Sequence, residues 1–296
     1  MLKRLNSQTD AHVVDRWQTL GEDTMATEFA QTRFGPIAYR VDGAGPPLVL
    51  VQRFRGAMDD WDPAFLAPLS AARTVIRFDN LGVGETRGEA PDTVAGMAQA
   101  AIGFLETLDL GPVDLLGWSL GGYVAQLVAL EAPTRLLRLV IAGSGPGRVP
   151  EGPAAHPRVA EIAAKVSADP EDLLFLFFTD TTAGQAAGRA YLQRVHATPR
   201  PPVTAETGAR QLAAIGAWTA GQGDARPRLA ELRLPVLVAN GVADVMVPAF
   251  RSFILAREAP FAKLILYPDA GHAFLFQHAD SFVRDLLAFL SEPATT

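Results

Sequence analysis

With 296 residues, 49% hydrophobic and 20% charged, the chain can bury one large core or a core with an inserted unit. A formal charge of -6 offers no basic surface for nucleic acid or an anionic membrane, and the absence of cysteine excludes disulfides, thiolate-bound zinc and a thiol nucleophile. The start has two basic residues but no apolar stretch of the kind a signal peptide needs, and the longest apolar run, 173–178, is far too short to span a bilayer, so a cytoplasmic protein, monomeric or homodimeric, is expected.

Residues 1–24 are polar and weakly patterned and read as an extension ahead of Met25. Two β-forming runs, 27–33 and 35–41, meet at Gly35-Pro36 and predict an antiparallel hairpin. The run 47–51 is continuously apolar, as a strand buried on both faces of a mostly parallel sheet must be. Similar runs at 74–78, 113–116, 138–142, 235–239 and 263–267 bring the parallel strands to six. Helical patterns at 62–72, 94–109, 121–131, 247–258 and 279–290 alternate with them. The expected fold is therefore α/β, a mostly parallel sheet of about eight strands with the hairpin at its start and helices on both faces.

One interval breaks the alternation. About ninety residues separate the strand ending near Ser144 from the one starting at Pro235, several times what a parallel crossover needs. Helical candidates at 170–178, 183–196 and 204–218, separated by 180–182 and 198–202, suggest a cap at 145–234 over the carboxyl edge of a core formed by 25–144 and 235–296. The glycine-containing ends of this insertion, 145–147 and 221–223, read as linkers.

The run 113–122 ends in Gly117-Trp118-Ser119-Leu120-Gly121 and passes at once into a helical pattern. Glycines on both sides let strand and helix backbones approach, and the turn presents Ser119 at the end of the sheet. A serine hydroxyl needs a base, and the base needs a carboxylate. Of five histidines, His12 lies in the extension, His156 and His196 in the insertion and His278 at a helix start, whereas His272 follows a buried strand directly. Asp244 stands just past another strand end; its alternative role is a turn residue or a cap for the helix that Pro248 opens. Asp269 lies too near His272 in sequence and reads as a turn residue.

The order Ser119, Asp244, His272, each after a different strand, resembles the α/β-hydrolase family from about residue 27 to 290. The resemblance rests on 117–122, on Asn240-Gly241 through Pro248 and on Ala270-Gly271-His272. It implies an oxyanion hole from the backbone amides of Leu120 and Phe54, although Gln52-Arg53 replaces the family's usual His-Gly. In the loop 79–86, Leu81 and Thr86 stand where relatives commonly carry Arg and Ser; that loop is read as structural.

The resemblance further implies a serine hydrolase acting on a small, apolar ester or lactone, with no metal or cofactor. Relatives with this triad also cleave C–C or amide bonds or act as cofactor-free haloperoxidases, and some proteins of the fold bind ligands without catalysis. Ser119 speaks against epoxide hydrolase and haloalkane dehalogenase chemistry, which calls for Asp at that position. Trp118, Tyr191, Trp218, Met246 and Phe274 are the candidate pocket lining, with packing inside the insertion as the alternative for Tyr191 and Trp218. Arg189, Arg194 and Arg210 read as a solvated helix face rather than a carboxylate receptor.

Overall fold

The computed structural model describes residues 26–197 and 202–293. The extension at 1–24, with His12, and all but the last residue of the 198–202 separator lie outside the described residues.

In β3 (Pro47–Val51) every residue is buried, with Leu48 and Leu50 in one apolar layer and Val49 and Val51 in the other. Side chains alternate across a strand, so an uninterrupted apolar run is what two covered faces require. β4 (Thr74–Phe78), β5 (Val113–Trp118) and β7 (Val236–Gly241) are buried throughout, and β6 (Leu136–Ala142) departs from this only at Leu137. The edge strand β8 (Ala262–Tyr267) is mostly half-buried or exposed. At the other edge, β1 (Glu28–Thr32) and β2 (Gly35–Asp42) form the expected hairpin, closed where Gly35 takes φ 102°.

The eight strands run in the order β1-β2-β4-β3-β5-β6-β7-β8. β2 is antiparallel to β4, and every pairing from β4 to β8 is parallel, giving the expected six parallel strands.

Ten helices follow in chain order among the described residues: α1 (Pro63–Ser70), α2 (Val94–Leu108), α3 (Leu120–Glu131), α4 (Pro157–Ala163), α5 (Pro170–Phe177), α6 (Thr182–Val195), α7 (Ala205–Thr219), α8 (Ala249–Glu258), α9 (Phe274–Gln277) and α10 (Ala279–Leu290). α2, α3 and α8 cover one face through Met97, Phe104, Val124, Val128 and Leu255. α1 and α10 cover the other through Phe65, Leu69, Phe282 and Leu286. Burying one such side chain is worth about 1.5–3 kcal/mol. The side chains of Asp62, Thr93, Asp169, Thr181 and Thr204 accept first-turn amides of α1, α2, α5, α6 and α7.

Two helices have no counterpart in the sequence reading. α4 has seven residues and α9 four, too few to show a 3.6-residue period. α4 does carry a start signal, because His156 Nδ1 accepts the Arg158 amide at 3.2 Å and Pro157 opens the first turn.

α4 to α7 lie between β6 and β7 and are fastened to the rest of the chain at several points. Tyr191 Oη donates to the Asp60 carbonyl at 3.1 Å, and Arg194 grips Asp62 through two bonds of 2.7 and 2.6 Å. Thr207 Oγ1 donates to the Gly82 carbonyl at 3.1 Å. The two ends of the segment are joined to each other: the Arg148 amide donates to Asp224 at 2.7 Å, and Arg226 reaches the Arg148 carbonyl at 2.8 Å, Glu151 at 2.5 Å and Glu258 at 2.9 Å.

Candidate active site

Ser119 sits between β5 and α3 at φ 58°, ψ -119°, a conformation that L residues rarely adopt. The turn is possible because Gly117 and Gly121 lack side chains: a Cβ on Gly117 would strike the Gly121 carbonyl, and one on Gly121 would strike the Val51 carbonyl. The Ser119 amide donates to Ala142 O at 2.9 Å, and its carbonyl accepts Gly122 N and Ser144 Oγ, both at 2.9 Å. With its backbone held on both sides, its side chain reaches the wall of a cavity.

His272, in the turn after β8, reaches the same wall. Its Nδ1 lies 2.7 Å from Asp244 Oδ2. An ionised carboxylate only accepts, so Nδ1 carries the proton and Nε2 presents a lone pair. Nε2 is buried and has no hydrogen-bond partner among the described residues. Asp244 Oδ1 accepts the amides of Met246 and Val247 at 2.8 and 2.9 Å, so the carboxylate is fixed from behind while it orients the ring. Asp244 thus also plays the turn role its sequence position allowed.

Asp269 is turned elsewhere, accepting from Thr181 Oγ1 at 3.1 and 3.2 Å. His156 caps α4, His278 stacks on Tyr267, and His196 lies on the exposed side of the cavity.

The loop after β3 takes its shape from side chains. Gln52 donates to Ala57 O at 3.1 Å and accepts the Arg53 amide at 2.9 Å. Arg55, at φ 55°, donates its amide to Gln211 Oε1 of α7 at 2.8 Å. The amides on either side of Phe54 are therefore occupied, while those of Phe54 and Leu120 donate to no group among the described residues. Sequence reasoning singled out Gln52-Arg53 as a departure from the family but assigned Gln52 no role, and it did not name Gln211; their signal was a buried amide side chain, which shows only once burial is known.

Asp79 supports the neighbouring loop by accepting the amides of Met58 and Glu85 at 2.7 and 2.8 Å. Burial pushes its carboxyl up to about 6, against the pull of those two donors. Thr86 Oγ1 accepts the Ala38 amide at 2.8 Å, so this loop is structural, as read.

The cavity measures about 270 Å³, near the lower end of ligand pockets. Its apolar wall is built by Val159 and Ile162 of α4, Leu173, Leu176 and Phe177 of α5, and Met246. Four expected lining residues are elsewhere. Trp118 is fully buried behind the site, where its Nε1 donates to His272 O at 3.1 Å. Tyr191 stacks on Phe276 at 4.8 Å, Trp218 on Tyr123 at 5.0 Å and Phe274 on Tyr267 at 5.2 Å. Each is large enough to be more stable packed among aromatics than facing a wet cavity. Met246 alone of the five lines it.

Of the helix arginines only Arg189 is exposed as read; Arg194 and Arg210 are half-buried, Arg194 pairing with the buried Asp62 and Arg210 with Glu89 and Glu206, and none of the three lines the cavity. Among the described residues no group of three or more His, Asp or Glu side chains is placed to hold a metal ion.

A parallel sheet between two helical layers, with a serine on a strand-to-helix turn and a carboxylate-held histidine on the same cavity, is the architecture of a large class of enzymes. The chain belongs to the α/β-hydrolase family, whose model matches residues 43–285. A pimeloyl-[acyl-carrier protein] methyl ester esterase from Nitrosomonas europaea is 29% identical over 251 residues, covering 81% of this chain and 94% of its own. The solved structure of an α/β-hydrolase fold protein from Chitinophaga pinensis superposes with a TM-score of 0.82 at 32% identity, over 91% of this chain and 98% of that one. An enol-lactonase from Burkholderia xenovorans shares the fold, with a TM-score of 0.73 at 22% identity over 90% of this chain and 100% of its own.

Proposed function

We propose that this protein hydrolyses a small-molecule carboxylic ester or lactone through a Ser119 acyl-enzyme. The observation that carries the reading is the buried, unpartnered Nε2 of a histidine whose Nδ1 is held 2.7 Å from Asp244, on the same cavity wall as Ser119. The esterase among the relatives supports the choice of an ester.

His272 Nε2 takes the Ser119 proton as Oγ attacks the ester carbon, and Asp244 stabilises the imidazolium that forms. The carbonyl oxygen, now an anion, accepts the amides of Leu120 and Phe54; one such donor is worth about 2.7–4 kcal/mol of barrier. The imidazolium returns its proton to the departing alkoxide as the C–O bond breaks. Water, deprotonated by the same nitrogen, attacks the acyl-enzyme and releases the acid and Ser119.

Incubation with a fluorophosphonate followed by intact-mass measurement tests this. One adduct is expected on the wild type and none on Ser119→Ala, and His272→Ala should lower kcat on nitrophenyl esters by roughly 10³-fold or more. An unlabelled wild type that hydrolyses no ester in an acetate-to-decanoate panel overturns the reading.

A further inference from the structure

Arg53 and Arg55 stand on the wall that holds Ser119, and among the described wall residues they face a single carboxylate, Asp60. Arg53 Nη2 lies 3.4 Å from Asp60 Oδ2, which also accepts the Ala57 amide at 2.9 Å. Arg53 is only 9% exposed, with Trp118 and Phe177 rings 5.5 and 5.0 Å from its guanidinium carbon. Among the described residues Arg55 has no ion pair: Nη1 donates to Lys165 O at 2.8 Å, and the guanidinium lies 4.8 Å from the centre of the Phe54 ring. The Nε atoms of both arginines are buried without an acceptor among the described residues.

Several basic side chains of the insertion are already matched. Arg194 pairs with Asp62, Arg158 and Lys165 with Asp172, and Arg210 with Glu89. Arg53 and Arg55 are the only Lys or Arg residues among the described residues of the cavity wall, and the facing wall of Val159, Ile162, Leu173, Leu176 and Met246 offers nothing to balance them. A partly desolvated guanidinium without an anion is costly, and burial lowers the Arg55 pKa from its ordinary value. A ligand carboxylate would offset that cost with charge-assisted bonds that a planar fork favours.

Building on the ester-hydrolase reading, we propose that the Arg53–Arg55 end of the cavity receives a carboxylate carried by the substrate, so that the preferred substrates are small monoanionic esters. Their apolar chain lies against α4 and α5. Arg55 supplies the specificity, since Arg53 already faces Asp60.

Two matched pairs of esters test this on the full chain: monomethyl glutarate against methyl valerate, with the anion on the acyl side, and 4-acetoxybutyrate against butyl acetate, with it on the alcohol side. Hydrolysis is followed by proton release. In at least one pair the anion should have a kcat/KM at least about tenfold higher, with the advantage shrinking as salt is raised. Arg55→Gln should cut the anion-to-neutral ratio about tenfold or more, and Arg55→Lys should keep part of it. Calorimetric titration of Ser119→Ala with monomethyl glutarate reads binding without turnover, and tighter binding than methyl valerate is expected when the acyl-side pair shows the preference.

Equal or reversed preference in both wild-type pairs overturns the inference, as does a ratio unmoved in a folded Arg55→Gln. Should that variant not fold, the wild-type ratios and their salt dependence decide. Fluorophosphonate labelling of Ser119 without an anion preference removes this inference alone; no labelling and no ester hydrolysis removes the ester-hydrolase reading itself.

Discussion

Ser119 combines strain and placement in one residue. Its φ of 58° with ψ -119° costs about 1–3 kcal/mol for a side chain that glycine would not carry. Ser119→Gly should therefore abolish ester turnover while raising unfolding stability by about 1 kcal/mol, measured by urea denaturation. No gain in stability would show that the turn stores no strain. The glycines around it were legible because close backbone approach leaves no room for a Cβ, a demand that falls on neighbours in sequence. The role of Trp118 was not: it adjoins Ser119 in sequence, but its ring turns into the aromatic layer with Trp61 and Phe276 and away from the cavity. The contacts of Gln52 and Arg55 escaped for a related reason, since their partners Ala57, Gln211 and Lys165 come together only in the folded chain.

Strands announced themselves through continuous apolar runs because both faces of the sheet are covered, and long helices through their period. α4 went unseen for want of length, and it supplies Val159 and Ile162 to the cavity wall. Loops obey other physics, and Asp79 is an instance: its carboxyl is raised from 3.8 to about 6 by burial while it holds Met58 and Glu85. A carboxyl with a raised folded-state pKa binds more protons in the native state between about pH 4 and 6, so its contribution to stability is full below that window and lost as pH rises through it. The loss is on the order of 3 kcal/mol at most. Asp79→Asn removes the titration, so its stability should fall less than that of the wild type between pH 4 and pH 7, as read from denaturation midpoints. Parallel pH profiles would show that Asp79 is not the titrating group.

Across the whole molecule, one buried cluster ties the sheet to the end of the described chain. Asp114 lies between Arg73 and Arg138, at 2.9 and 3.0 Å, beneath the amino-terminal end of β5. Arg73 also donates to Leu290 O at 2.7 Å, and Arg138 donates to Glu292 O, so the same guanidiniums hold the end of α10. Asp114→Ala would leave two largely buried cations without their carboxylate and should cost about 3–5 kcal/mol in chemical denaturation. Faster amide exchange in α10 should accompany it; a loss under 1 kcal/mol with unchanged exchange would show that the cluster does not hold the helix.

Taken alone, the order of apolar runs determined the sheet, its parallel strands and its hairpin, and the residues after the strand ends determined Ser119, Asp244 and His272 as the candidates to be brought together. Both follow from local rules: side-chain alternation sets burial, and strands in one parallel sheet deliver their following loops to one edge. Only the tertiary structure decided what surrounds Ser119. It turned all four expected pocket aromatics into packed layers, made α4 and α5 the apolar wall, and left Arg55 beside the cavity without an ion pair among the described residues. Those outcomes depend on which distant side chains meet, and a hydrogen bond from residue 55 to residue 211 leaves no periodicity in a sequence to be read.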